Sequence, residues 1–457
     1  MIYSEFVKKE LKRIKALKVT DLIDSLRGRR VLVYCHDDPD GLTSGVIFKR
    51  LLTKKGVSCD IKIPGVMELG KDELQGDVSN KDYGAVFVLD KATMGYYSEY
   101  ASMVPNFTVI DHHPLIGDNP ENIFVINPQI HGEYKGCSTS FIVHMISTFM
   151  GESDRYDDYL NLIGLKGDWT IEPATDYVSP YVELFYRERG ISQFGNLVKK
   201  IDSRPTMFEV EQRKKTTLLN QITELYFALG GGGFQYFYNN RDKSLSDIEQ
   251  PEFTFKLLEE GTKNFEPEKL DTLDDYIRST GKAEIINLIF KYFSQDWKKT
   301  SKSFSNFTHV SRMGETEIYL FKGKDVRLMP MVGSVYLNNL KQHSGSNKVF
   351  FIMVDEQSSG KIHFSMRSTT DKVHAGKICS NLSDRLVGEF GHRDQITGGG
   401  HPFAAECKTG DSGVEMQDAM EVLNNLLREM KESITKQNIS KGRELGLEFL
   451  TKNSKKE

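Results

Sequence analysis

Short, wholly apolar runs alternate with helical stretches over the first third of the chain. Residues 1–27 carry apolar positions at helical spacing between charged ones, which predicts an amphipathic helix. Val31 to Tyr34 reads as a strand, Asp38-Pro39-Asp40-Gly41 as a turn, and Leu42 to Lys54 as a helix. Ala85 to Leu89 and Phe107 to Ile110 are two more apolar strands, each running into an acidic residue, Asp90 and Asp111. Strands alternating with helices predict an α/β fold on a parallel sheet. Ligands of such sheets gather at the carboxyl ends of the strands. His36, Asp38 and Asp40, then Asp90, then Asp111, His112 and His113 are therefore expected around one crevice.

Further along, residues 139–166 look helical and lead to Asp168. Residues 181–300 are largely helical, with Gly230 to Gly233 between two helical runs and a charged, loop-like stretch near 240–275. From about 305 the pattern turns to strands: Glu317 to Phe321, Val349 to Val354, and Lys361 to Met366 with period two. A glycine turn, Gly398-Gly399-Gly400-His401, precedes a last helix at 413–432. The expected layout is an N-terminal helix (1–29), a parallel-sheet domain (30–180), a helical connector (181–304), a smaller α/β domain (305–432) and a lysine-rich, fraying tail (433–457).

A length of 457 residues fits two or three domains. The net charge of −4 argues against a histone-like binder. It leaves room for a nucleic-acid enzyme, because a local basic groove and bound cations can supply the attraction. The five cysteines are widely spaced with no CxxC, against a disulfide framework or zinc ribbon and in favour of a reducing, cytoplasmic setting. No stretch reaches the ~20 apolar residues of a membrane span, and the N-terminus lacks the apolar core of a signal peptide.

The chemistry concentrates in His36-Asp37-Asp38-Pro39-Asp40-Gly41. Carboxylates and a histidine at alternate positions of an extended turn can converge on hard or borderline divalent cations, and Mn²⁺ suits such mixed ligands. An acidic turn that merely caps a helix is the plainer reading. Asp90 and Asp168, taken singly, read as solvated loop carboxylates. Together, on strand ends that share one sheet edge, these groups would repel one another without cations. Two metals about 3.5–4 Å apart would neutralise them, the geometry used for phosphoryl hydrolysis.

In order and rough spacing, His36-x-Asp38-x-Asp40-Gly41, Asp90, Asp111-His112-His113 and Asp168 resemble the four motifs of the DHH superfamily of phosphoesterases. Phe364-Ser365-Met366-Arg367-Ser368, followed by Gly398-Gly399-Gly400-His401-Pro402-Phe403-Ala404-Ala405, resembles its accessory substrate-binding domain, DHHA1. The resemblance implies two divalent ions, Mn²⁺ foremost with Mg²⁺ as the alternative. One is held by His36, Asp38 and Asp90, the other by Asp40, Asp90, His112 and Asp168, with Asp90 bridging. It implies that Asp90, His112 and His113 form the catalytic group, with His113 facing the scissile phosphate. Arg367, Ser368, His401 and the backbone of Gly398, Gly399 and Gly400 would hold the substrate phosphate or terminal nucleotide; a plain β-turn is the bland reading of the glycines. Arg suits phosphate through its planar fork, and glycines let backbone donors approach an anion. Asp37 is an additional carboxylate in the first motif, and its side chain is expected behind the metal ligands.

The length and layout look most like archaeal RecJ-like proteins. The implied activity is metal-dependent hydrolysis of single-stranded DNA or RNA, with replication or repair proteins as partners. A nanoRNase or pAp/nucleotide phosphatase is the enzyme alternative, and a non-catalytic replication scaffold is the second class. The DHHA1-like segment argues against family II pyrophosphatases, and little chain remains after it for the OB fold of bacterial RecJ. Substrate is expected between the metal-bearing domain and the DHHA1-like one. Gly230 to Gly233 lacks the Lys-Ser/Thr of a P-loop and reads as a helix–helix turn. Phe234, Tyr236, Phe237 and Tyr238 read as core or as base-stacking rings. Lys199, Lys200, Arg204, Arg213, Lys214 and Lys215 read as a solvated face or a backbone-tracking run.

Overall fold

The computed structural model describes residues 2–64, 69–91, 99–113, 121–132, 136–203, 206–209, 215–261 and 265–450. Pro114 after the third motif, and Arg204, Arg213 and Lys214 of the basic run, lie outside them. The chain divides into two compact units, 1–293 and 294–457.

The first unit is built on a five-stranded sheet, β1 (Arg30–Cys35), β2 (Ser58–Lys62), β3 (Ala85–Leu89), β4 (Phe107–Ile110) and β5 (Phe124–Ile126). Its order is β2-β1-β3-β4-β5, with every pairing parallel. The apolar runs of β3 and β4 are buried at every position, as a parallel sheet covered on both faces requires. On one face Leu32, Tyr34, Val86, Val88 and Val109 pack with Leu69, Leu74 and Tyr83. On the other, Phe48 meets Phe87 edge-on.

Helices α1 (Tyr3–Arg13) and α2 (Leu17–Ser25) replace the single N-terminal helix expected, because Lys15 between them takes φ +58°. Then follow α3 (Pro39–Lys54), α4 (Lys71–Val78), α5 (Thr139–Phe149) and α6 (Arg155–Gly167), with α3 packed against both α5 and α6. Two short ribbons pair β6 (Ile171–Glu172) with β7 (Tyr177–Val178), and β8 (Lys200–Ile201) with β9 (Thr216–Thr217). Next come α7 (Glu183–Phe185), which runs on as a π-helical stretch to Ile191, then α8 (Ser192–Val198), α9 (Leu218–Gly230), α10 (Gln250–Glu260) and α11 (Leu273–Ser279). Part of the stretch read as loop-like is thus α10. Pro251 starts it, and buried Thr254, Phe255, Leu257 and Leu258 hold it down. Helix α9 packs on α6 and α10 and reaches α3.

The division between units falls inside α12 (Ala283–Ser303). The second unit has a six-stranded mixed sheet, β10 (Phe307–Met313), β11 (Thr316–Lys324), β12 (Val349–Glu356), β13 (Ile362–Ser368), β14 (Thr397–Gly400) and β15 (Ala404–Lys408). The order is β10-β11-β12-β13-β15-β14, and only β11–β12 is parallel. Helices α13 (Met329–Ser344), α14 (Ala375–Phe390), α15 (Met416–Thr435) and α16 (Ile439–Glu444) complete it. The glycines read as a turn form strand β14. The tail does not fray within the described residues: Leu445 and Leu447 are fully buried in the core, and Leu447 bridges Val373. Among the described residues no helix is long and apolar enough to cross a membrane. All five cysteines are free thiols.

Candidate metal centre

Three adjacent strands end level with one another. Cys35 is paired with Leu89, and Leu89 with Ile110, so the next residues along β1, β3 and β4 (His36, Asp90 and Asp111) emerge side by side. The strand order reverses between β1 and β3, so the crevice of this sheet opens between His36 and Asp90.

Local structure then aims each group. Asp38 caps α3, accepting from the Gly41 N–H at 2.8 Å, with Pro39 in the first turn. A Cβ on Gly41 would lie 2.4 Å from the His36 Cβ, so only glycine lets the motif fold back on itself. Asp40 is fully buried and accepts from the backbone N–H groups of Thr139 (2.6 Å) and Ser140 (2.9 Å), at the N-terminus of α5. Asp168 is the C-cap of α6. It reaches the site because Gly167 lets α6 approach Pro39, whose Cβ would lie 3.0 Å from an added side chain. Asp90 has φ +59°, a left-handed conformation uncommon outside glycine and more tolerable for Asp than for most residues.

The ligand-type atoms fall into overlapping groups, each within 4.8 Å: His36, Asp38 and Asp90; Asp40, Asp90, His112 and Asp168; and Asp90, Asp111, His112 and His113. Asp90 belongs to all three. His36 Nδ1 is 3.2 Å from Asp38 Oδ2 and 3.9 Å from Asp90 Oδ2. His112 Nε2 is 3.2 Å from Asp90 Oδ1, 2.9 Å from Asp168 Oδ2 and 3.9 Å from Asp40 Oδ2. The first two groups bring together the residues that the DHH resemblance assigns to its two ions.

The donor set fits divalent cations. The buried His36 Nδ1 and Asp168 Oδ2 make no hydrogen bond of sound geometry despite these short contacts, as expected of lone pairs converging on a shared centre. Charge points the same way. Burial, then the nearby Asp40 and Asp38, push the Asp90 carboxyl well above the usual carboxylate range. Burial and Asp168 push Asp40 up to about 7. Asp38 resists its own burial because His36 and the Gly41 N–H hold it down at about 2. So many carboxylates in one buried crevice disfavour one another's charge and either take up protons or share cations, and divalent ions would let all of them stay ionised.

Supporting groups surround this set. Asp111 Oδ1 accepts from the backbone N–H groups of His112 (2.8 Å) and His113 (3.3 Å) and from His113 Nδ1 (2.7 Å). It thus fixes the His113 ring with Nε2 on the far side. Asp37 lies behind His36, its Oδ1 3.5 Å from Nε2, and burial raises its carboxyl.

Two features were missed by sequence reasoning. Lys91, directly after Asp90, is fully buried, with Nζ donating to the Pro64 carbonyl at 3.4 Å; burial lowers its pKa. Gly230 to Gly233 is not a remote turn. A Cβ on Gly230 would meet the Asp37 carbonyl oxygen at 2.3 Å, and one on Gly233 the His36 Cε1 at 3.0 Å. With φ +105°, +71° and +74° at Gly231 to Gly233, the end of α9 wraps the first motif backbone to backbone. The glycine run was the available signal. Tyr238 is core, whereas Phe234, Tyr236 and Phe237 are half-buried.

In the second unit, Arg367 is turned inward. Nε donates to Ser334 Oγ (2.8 Å), Nη1 to the carbonyls of Met366 (2.9 Å) and Ala405 (3.2 Å), and Nη2 lies 3.7 Å from Glu406. Glu406 also meets His363 Nε2 at 2.9 Å and Lys408 Nζ at 3.2 Å. Burial opposes its charge, but His363 and Lys408 outweigh that and hold its carboxyl at about 2. Ser368 is buried, donating to the Thr370 carbonyl at 2.6 Å. Gly398 is needed against α14, where a Cβ would meet the Cys379 carbonyl oxygen at 2.4 Å; Gly400 has φ +132°. Gly399 pairs with Glu406 across the ladder, and the His401 N–H donates to the Ala404 carbonyl at 2.8 Å. These groups therefore share one end of the sheet, and several of their donors already serve their own domain.

Residues 330–435 match the DHHA1 domain family. A search of curated proteins returns no match. Among solved structures, the chain is similar to a DHH-domain protein described as a member of a family of ribosomal proteins, at 13% identity and TM-score 0.53, covering 93% of this chain and 92% of that one. It is similar to exonuclease RecJ bound to manganese, at 15% identity and TM-score 0.50, covering 89% and 92%. It is also similar to RecJ from Thermus thermophilus in complex with Mn²⁺, at 16% identity and TM-score 0.52, covering 95% of this chain but 59% of that one. At these identities the likeness is one of fold.

Proposed function

We propose that this chain, which pairs a DHHA1 domain with the fold of DHH proteins and so falls in the DHH superfamily, is a metal-dependent phosphoesterase cleaving phosphodiester bonds of single-stranded nucleic acid. The observation that carries the reading is the sharing of Asp90 between His36 and Asp38 on one side and Asp40, His112 and Asp168 on the other. These residues would hold two divalent ions, Mn²⁺ or Mg²⁺. Such ions lower the pKa of bound water and neutralise phosphate charge.

The chain's own groups do the rest. Asp40 is pinned by the α5 amides, so its carboxylate stays aimed without help from substrate. Asp111 keeps His113 in one orientation, ready to donate from Nε2 to a phosphate oxygen. Arg367 acts mainly by shaping its end of the DHHA1 sheet, with His401 and the strand Gly398–Gly400 offering the phosphate contacts. A solved structure of similar fold is an exonuclease, RecJ bound to manganese, and that likeness is what brings a nucleic-acid substrate into this reading, beside the small phosphate esters that the same chemistry could cleave.

The test is digestion of 5′- and 3′-labelled DNA and RNA oligomers, long and short, with Mn²⁺, Mg²⁺ or EDTA. Stepwise release of mononucleotides from long single strands, abolished by EDTA, is expected. Cleavage confined to di- to pentanucleotides would move the protein to the short-oligonucleotide hydrolases. Inertness on every substrate with either metal would leave a non-catalytic scaffold.

A further inference from the structure

Directly after Asp168 stands Trp169, with φ +50° and 43% of its surface exposed. Both facts are unusual. The turn that ends α6, with the Trp169 N–H donating to Lys166 and the Thr170 N–H to Leu165, places its left-handed residue where glycine or asparagine is the ordinary choice. A bulky side chain there is strained, and strain of this kind persists where the surroundings impose it and function uses it. Burial does not account for the residue, because few large hydrophobic side chains among those described are so exposed.

The indole is nevertheless firmly propped. Phe227 lies under it at 5.7 Å between centroids and 33°, and Phe208 meets it edge-on at 6.0 Å. Lys166 Nζ is 5.2 Å from the ring centre. Lys166 is itself buried and tied to Glu172 at 3.1 Å, and Glu172 accepts from Asn220 Nδ2 at 2.7 Å. A flat, rigid, partly solvated π-surface thus stands one residue from a carboxylate of the candidate metal centre. Adjacent Cα atoms are about 3.8 Å apart, so the backbone of Trp169 lies directly beside that of a carboxylate in the candidate metal centre.

We propose that Trp169 is a stacking platform for the nucleobase beside the scissile phosphate. The inference rests on the phosphodiesterase reading above. It adds that the site grips a base by its face, and so without sequence preference, since every base has one.

The chain has two tryptophans, and the other, Trp297, is buried. Trp297→Phe therefore isolates the emission of Trp169. With Mn²⁺ present, a phosphorothioate oligo-dT should quench that emission, and an abasic strand of the same length should leave it unchanged. In kinetics, Trp169→Gly should raise KM on base-bearing oligonucleotides by about 5- to 150-fold and leave kcat/KM on abasic strands as in the wild type. Trp169→Phe, which keeps an aromatic face, should recover part of the KM, whereas a merely structural loss would fall equally on abasic strands. Equal quenching by the abasic strand, or equal loss on both substrates, overturns the platform while cleavage by the wild type stands. Absence of any oligonucleotide cleavage by the wild type overturns the phosphodiesterase reading itself.

Discussion

Asp90→Asn separates the two things that Asp90 does. The change keeps the side chain's size and its acceptor oxygen toward Thr139 Oγ1, 3.0 Å away. Asn also suits φ +59° at least as well as Asp. What it removes is one negative charge that burial, Asp40 and Asp38 already disfavour in the metal-free protein. Relief of that penalty should stabilise the metal-free first unit by about 1–2 kcal/mol. For a unit of 293 residues, about 1 kcal/mol moves the midpoint by about 1.5 °C, so the variant in EDTA should melt about 1.5–3 °C above the wild type. Added Mn²⁺ should reverse the order. Each ion at 100 times its Kd contributes about 2.7 kcal/mol to the wild type, or about 4 °C. The variant lacks the carboxylate common to both ligand groups and should gain about 1 °C or less. Scanning fluorimetry with and without Mn²⁺, calorimetric titration of the metal, and oligonucleotide hydrolysis read the three consequences. A variant less stable than the wild type in EDTA, or one keeping the full Mn²⁺ response, would refute the shared-ligand argument.

Gly233→Ala combines φ +74° with a Cβ 3.0 Å from the His36 ring. It should weaken the ion held by His36, Asp38 and Asp90 by tenfold or so, leaving the Asp40, His112 and Asp168 group intact; two-site Mn²⁺ titration by electron paramagnetic resonance checks this, and unchanged affinities would count against the cradle. Arg367→Ala removes donors to Ser334, Met366 and Ala405 and leaves Glu406 a cation short. It should cost the second unit about 2–4 kcal/mol besides raising KM, so a variant as stable as the wild type would return Arg367 to a purely substrate-facing role. Glu406→Gln tests pH. Its carboxyl is held at about 2 in the folded protein, below the usual range, so the stabilisation from its ionised form is complete above about pH 5 and lost as pH falls through about 2. The wild type should therefore lead the variant by up to about 3 kcal/mol at neutral pH, a lead that shrinks on acidification; a pH-independent gap in urea melts would remove Glu406 as the cause.

Much of the first unit was written locally in the sequence. The runs ending at Asp90 and Asp111 are apolar but for Thr108 because parallel strands are covered on both faces, and that pattern needs no knowledge of partners. Where those strands end was legible as well, since a carboxylate breaks each run. The register that levels Cys35, Leu89 and Ile110 was not written anywhere; it follows from the crossovers and brings the strand ends into one crevice. Helix α10 was obscured by its own charged face, and the tail by its lysines, although Leu445 and Leu447 carried the apolar signal that buries them.

The role of Gly230 to Gly233 was missed for a physical reason. A glycine run states that some backbone must come close, but not which one. Nothing near Gly230 in sequence points to Asp37, about 190 positions away, and the answer depends on α9 packing across α6 and α3. Arg367 is the converse case: its type suits phosphate, yet the alternation of β13 sends it to the same sheet face as Glu406 on β15, which supplies the anion internally. Residue type fixes what a side chain can bind, and topology fixes what it meets first. At Asp90 the two agree, because the strand end that exposes the carboxylate also assembles its companions. At Arg367 they diverge, and its internal contacts therefore have to be weighed before any role toward substrate is assigned to it.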